Sequence, residues 1–270
     1  MLSSSICFSL SATLVKFLKD IPLMQIVLFR NLPTLIIIFF LLKSKNISIY
    51  GNNKKLLFLR AFLGSIGMIA TFYTFKYMVL ADAITLTQLI PLFTIILSVK
   101  LLGEKVSFRQ MSIFSIAFIG AILVIKPGLR LNILPYIVGL IGAFTLAAGQ
   151  VTIRKLRISE QPMVIVIHYA FISSLSALFA LFWQKNFILP NIFDFSILIM
   201  LGFSSLWAQF SLTMAFNYSP ARLVSLYTYI KIIFGILIGI FLFKEIPDIF
   251  SVIGAFFILI MGYINYKYNS

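Results

Sequence analysis

Polar residues punctuate this chain at short intervals, and between them run apolar stretches of roughly 17 to 25 residues, each long enough to be a membrane-crossing helix. The stretches fall at about 2–18, 22–42, 56–75, 79–101 and 109–126, and again at about 132–153, 162–183, 194–216, 221–243 and 248–266. A helix of ~20 residues covers the ~30 Å of hydrocarbon in a bilayer, so the pattern predicts ten transmembrane helices, five in each half. Turn chemistry marks the breaks. Lys126-Pro127-Gly128 closes the fifth span, Asn217-Tyr218-Ser219-Pro220 precedes the ninth, and Ser107 with Gln110 resembles a capping box opening the fifth.

The two halves repeat one another. Asp20, Pro22 and Phe29 meet Glu160, Pro162 and Tyr169 at an offset of 140, and Thr87, Phe93, Ile95, Leu101 and Glu104 meet Thr228, Phe234, Ile236, Leu242 and Glu245 at 141. Gly120 and Gly262 close the register at 142. A duplicated unit with an odd number of spans places its second copy upside down in the bilayer. The expected fold is therefore an all-α integral membrane protein, with residues 1–130 and 131–270 as two inverted five-helix repeats packed into one membrane domain.

Composition agrees with the span pattern. Hydrophobic residues make up 61% and charged residues 11%, with a mean hydropathy of +1.08, against about 25% charged in a soluble domain. The net charge of +15 sits mainly in the interruptions between apolar runs, as the positive-inside rule requires, and does not point to nucleic acid. With the N-terminus inside, cytoplasmic loops and the C-terminal tail hold 13 basic residues, Arg60 among them, and outer loops hold 7, Lys16 among them. That bias predicts a multi-pass protein of the bacterial inner (plasma) membrane with both termini cytoplasmic. One cysteine, Cys7, and one histidine, His168, exclude a disulfide framework and leave no multi-ligand Cys/His metal site. No cofactor is expected. The stretch from Leu2 to Leu18 lacks a basic leader and reads as the first span, not a cleaved signal.

A few polar residues stand where lipid would otherwise be. Lys231 lies about ten residues from either end of the ninth span, too deep to snorkel easily, and burying it costs roughly 2.5–3.5 kcal/mol on insertion scales. Tyr227 and Thr228 share its helix face. This face is expected to line a substrate path, with Lys231 holding an anionic group. Arg30 in the second span is either a second substrate contact or a packing and topology element. His168 in the seventh span is a candidate for proton coupling, since its ordinary pKa is ~6.5, or a hydrogen-bonded core residue. Gln88, Gln150 and Gln209 lie deep in spans four, six and eight, where an amide needs a partner. Pro91 breaks the helical ladder of span four and predicts a kink. Glu104 and Glu245 end spans on opposite membrane faces and read as turn residues.

The stretch from Ala81 to Glu104, ADAITLTQLIPLFTIILSVKLLGE, with Gln110, the Ile119-Gly120-Ala121 stretch and the counterpart Arg222 to Glu245, resembles the ten-helix EamA branch of the drug/metabolite transporter superfamily. The resemblance covers nearly the whole chain. Departures are Ile232 opposite Pro91, Lys244 opposite Gly103, and Ser112 where the family often has Gly. Within the branch the Leu28-Phe29-Arg30 region and the long central match are similar to S-adenosylmethionine uptake carriers. The resemblance implies a central cavity ringed by helices one, three, four, six, eight and nine, and so a convergence of Gln88, Gln150, Gln209, Tyr73, Tyr227 and Lys231. Trp207 is a candidate stacking surface near it.

The function expected is a secondary transporter, not an enzyme, moving a small metabolite by alternating access. An amino acid or derivative fits, S-adenosylmethionine included. No Walker-type phosphate loop is present, so a gradient or exchange is the expected energy source. The alternatives are a flippase or carrier for a lipid-linked molecule and, with seven acids nearly all at helix ends, less favourably a membrane-embedded enzyme. Expected partners are the metabolite and the lipid bilayer, with no nucleic acid, and a homodimer is left open. Replacing Lys231 with Met is expected to lower uptake into proteoliposomes; unchanged affinity and rate would remove it from the substrate path.

Overall fold

Hydrocarbon offers no partner to a peptide group, so a chain this apolar must satisfy its backbone internally, and helices do so segment by segment. The structure, a computed structural model, describes residues 2–102, 133–218, 230–245 and 248–269, with single residues and pairs between 112 and 123. In chain order its helices are α1 (Leu2–Phe17), α2 (Leu23–Ser44), α3 (Lys54–Tyr77), α4 (Leu80–Thr87), α5 (Leu89–Leu102), α6 (Leu134–Leu156), α7 (Pro162–Gln184), α8 (Ile192–Tyr218), α9 (Ile230–Phe243) and α10 (Ile249–Asn269). Among the described residues six helical stretches are long and apolar enough to cross a membrane: 23–44, 54–77, 80–101, 134–156, 162–184 and 192–218. Most of the expected fifth span, its capping box and the Lys126-Pro127-Gly128 break lie outside the described residues, as does the start of the ninth span.

The lipid-facing side is plain from exposure. Along α7, Phe171, Leu175, Leu178, Phe179 and Phe182 follow a helical stripe, and all are more than half exposed. An apolar band of this kind belongs against acyl chains.

Helices of the first half pack antiparallel on helices of the second. Between α3 and α6, Gly64 faces Gly149, Gly67 faces Thr145 and Leu146, and Gly142 faces Ala70. A Cβ added at Gly67 would stand 2.5 Å from Leu146 Cγ and 2.9 Å from the Leu146 amide nitrogen, so the backbones approach as closely as glycine allows. Between α1 and α8, the Ser4 hydroxyl donates to the Ala208 carbonyl at 2.9 Å, and Ser11 Oγ lies 3.0 and 3.1 Å from the Ser204 and Ser205 hydroxyls. Against α7, the start of α2 meets the residues after its end: Gln25 donates to the Ile188 carbonyl at 2.7 Å and accepts from the Ile188 amide at 3.1 Å. Pro33 of α2 cannot donate to the Phe29 carbonyl, and Gly202 of α8 packs on both residues.

Span four is broken where its proline predicts. Pro91 removes the donor that Thr87 would otherwise receive, and the helix stops at Thr87, turns at Gln88 and restarts at Leu89.

At one end of the molecule Lys16 corrects its reading as a loop cation. It is buried in the last turn of α1, donating to the Met78 carbonyl at 2.7 Å and to Glu245 Oε2 at 2.6 Å, with Phe243 5.5 Å beneath it. The Leu80 amide donates to the same carboxylate oxygen at 3.1 Å. At the other end Glu160 accepts from the Asn52 and Asn53 amides.

Gly67→Val forces a branched side chain into the α3–α6 crossing and is expected to destabilise by about 1–3 kcal/mol, the range for overpacking. A thermal melt of the purified protein followed by size-exclusion chromatography reads this as a lower midpoint, with Leu178→Val on the lipid face as the near-neutral control.

Candidate functional site

The helix break at Gln88 opens onto a cavity enclosing about 1170 Å³ of empty space, counting the part continuous with solvent. Its walls come from both halves: α1 to α5 on one side, and α6, α7 and α8 on the other. Met68, Phe72 and Phe75 of α3 form an apolar wall, and Thr87, Gln88 and Thr94 bring polar groups from the broken span. Toward the C-terminal end of α1 the space is packed shut by Val15, Leu18, Ile21 and Leu80, each 2% exposed or less, with the Lys16–Glu245 pair beyond them.

Four of the expected site residues line this cavity: Arg30, Gln88, Gln150 and Gln209. Gln150 Oε1 accepts from Thr94 Oγ1 at 3.1 Å, and the Gln209 amide donates to Thr213 Oγ1 at 3.4 Å. Gln88 donates to Thr87 Oγ1 at 3.4 Å while its buried carbonyl oxygen has no partner. That oxygen is available to a donor brought by a ligand.

One expectation is corrected. Tyr73 is turned away from the cavity and pairs with Tyr77, ring centroids 4.6 Å apart, because a helix rotates about 100° per residue and it is Phe72 that points inward. His168 lies off the cavity as well: its Nδ1 is 2.8 Å from the Val164 carbonyl one turn back, and the neighbouring Tyr169 lines the space instead. Trp207 is 56% exposed and does not line the cavity. Tyr227 and the side chain of Lys231 lie outside the described residues.

Arg60 and Tyr169 are the cavity residues that sequence reasoning passed over. Arg60 stands two turns inside α3, 4% exposed, its guanidinium carbon 4.7 Å from the Tyr169 ring centroid. The room for it comes from glycine: a Cβ at Gly64 would collide with the guanidinium, and one at Gly149 would crowd it at 3.4 Å. A glycine four residues after an arginine in an apolar run was the available signal. Arg30 approaches the same ring at 5.6 Å, donating to Asn31 Oδ1 at 2.9 Å and to the Tyr169 hydroxyl at 3.2 Å. Among the described residues no cluster of His, Cys, Asp or Glu could hold a metal ion.

What the arrangement can do is hold a small polar molecule at mid-depth, with amides and guanidiniums presented against an aromatic floor. Known proteins are similar to this chain in sequence. The EamA-like transporter family matches residues 1–126 and 133–265. The pseudopaline exporter CntI of Pseudomonas aeruginosa is 28% identical over 259 residues, covering 95% of this chain and 91% of that protein. An S-adenosylmethionine uptake transporter of Rickettsia prowazekii is 27% identical over 202 residues, covering 74% of this chain and 68% of that protein. A solved crystal structure, 14% identical, superposes with a TM-score of 0.70 over 100% of this chain and 95% of the other, which establishes likeness of fold. Matched in both halves and built of apolar helices around a cavity that carries a few polar groups, the chain belongs to the EamA-like transporter family and is a multi-pass membrane transporter.

Proposed function

We propose that this protein is a secondary transporter of a small metabolite, working by alternating access across the bacterial inner membrane and driven by a gradient or by exchange. The observation that carries this reading is the cavity between the halves, closed at the Lys16–Glu245 end and lined by Arg30, Gln88, Gln150 and Gln209. A site between two repeats, sealed on one side, is what alternating access requires.

In this reading ten helices form two inverted five-helix repeats, divided near residue 130. Supporting it are the antiparallel pairings of α1 with α8 and α3 with α6, which make the first helix of each half run in opposite directions. The two matched stretches, 1–126 and 133–265, fall on either side of the same division. Setting aside the buried Arg60 and Lys16 takes one basic residue from each side and leaves 12 against 6, still favouring cytoplasmic termini. The sealed end is then the outer one. Lys231 and Tyr227, outside the described residues, are assigned to the substrate path from their place in the sequence alone. The cargo is an amino acid or a derivative, a class that includes S-adenosylmethionine, named for one relative.

Counterflow of labelled metabolites in proteoliposomes tests the activity. A lock tests the mechanism: with Cys7 changed to Ser, Lys16→Cys and Glu245→Cys are joined by a short, reducible thiol cross-linker. Counterflow is expected to fall to background when linked and to return on reduction. Undiminished flux through the linked protein would rule out opening at that end.

A further inference from the structure

Two guanidinium groups line the cavity with nothing anionic beside them among the described residues. Arg30 and Arg60 are each 4% exposed, both line the cavity, and neither meets a carboxylate among the described residues. Arginine keeps its proton in proteins, so both charges persist. They stand 5.6 and 4.7 Å from one ring centroid, that of Tyr169, and therefore at most about 10.3 Å from each other. Like charges this close in a poorly solvated site repel, and a buried unpaired cation is costly.

The donors are also left over. Arg30 spends one nitrogen on Asn31 and Tyr169, while its Nε has no partner. Arg60 keeps both Nε and Nη1 without a partner. The chain has made space for this arrangement, with Gly64 on the same helix clearing the slot that Arg60 fills. Asn31 is itself anchored by donating to the Val27 carbonyl at 3.0 Å, which fixes the Arg30 fork.

We propose that Arg30 and Arg60, set around Tyr169, form an oxyanion-binding centre, and that the transported metabolite carries at least one carboxylate or phosphate ester that docks there. This rests on the transport reading and narrows it to anionic or zwitterionic cargo. The planar fork of arginine suits either oxyanion through paired hydrogen bonds. Phe72 and Met68 receive the apolar part of the molecule.

The test uses the full chain in nanodiscs, with succinate, glutamate and glycerol 3-phosphate as probes and choline and mannitol as controls. Thermal shift and counterflow are read together. The native protein is expected to be stabilised by one or more of the anions and by neither control, carboxylates and the phosphate ester being separated by which of them acts. Arg60→Gln and Arg30→Gln are each expected to weaken that response roughly tenfold or more, the loss of a charge-assisted hydrogen bond. Arg60→Lys keeps a cation in the glycine slot without the fork, and is expected to fold like the native protein and bind the same probes more weakly. Equal stabilisation by choline or mannitol overturns the proposal, and so does silence toward every anion. An Arg60→Gln protein that responds as the native one does also overturns it. Counterflow of a neutral or cationic solute that survives Arg60→Gln would overturn the anion centre and leave transport standing. Anion binding lost in the variants, in a protein that moves nothing, would support the centre and overturn transport.

Discussion

Apolar side chains gain little by leaving lipid for one another, so the helices of this protein are held by close backbone approach and by polar contacts within the bundle. The α3–α6 crossing depends on Gly67 and Gly142, and α8 meets the Pro33 bend of α2 through Gly202. Serines and threonines carry the same logic inward. Ser9, Ser11 and Thr13 each donate to the carbonyl four residues earlier, hiding their hydroxyls in their own helix, and Ser11 then meets Ser204 and Ser205 across the interface. A helix whose polar groups are internally satisfied can be buried anywhere; one with groups to spare can bind. Arg30, Arg60 and Gln88 are of the second kind.

That distinction explains the asymmetry of the repeat. The scaffold pairs one half with the other in reciprocal fashion, yet Arg30 has Ala170 as its mate at the 140-residue offset and Lys231 has Ile90 at 141. The two buried arginines both come from the first half, and the tyrosine that orients them comes from the second. Similar frames thus present dissimilar chemistry to one enclosed volume, in keeping with a carrier that must recognise an asymmetric molecule.

Much of this was legible in the sequence. Polar residues inside apolar runs are a one-dimensional signal, and Arg30, Gln88, Gln150 and Gln209 were found by it. The helix break was legible too, because a proline's missing donor acts at a fixed distance along the chain. The rotation of a helix about its axis was not. Tyr73 and His168 were each one residue away from the side chain that faces the cavity, Phe72 and Tyr169, and both helices are apolar on every side, so no amphipathic stripe reveals the inward face. Arg60 was hidden differently: near the end of a span, a basic residue reads as a topology signal, and only the glycines around it in three dimensions give it a buried place.

The slot for Arg60 ties together residues far apart in the gene. Gly64 lies on the same helix and leaves the room that the guanidinium occupies, while Gly149, contributed by the second copy, faces it at van der Waals distance. Two copies that meet this way, an arginine of one against a glycine of the other, are no longer interchangeable.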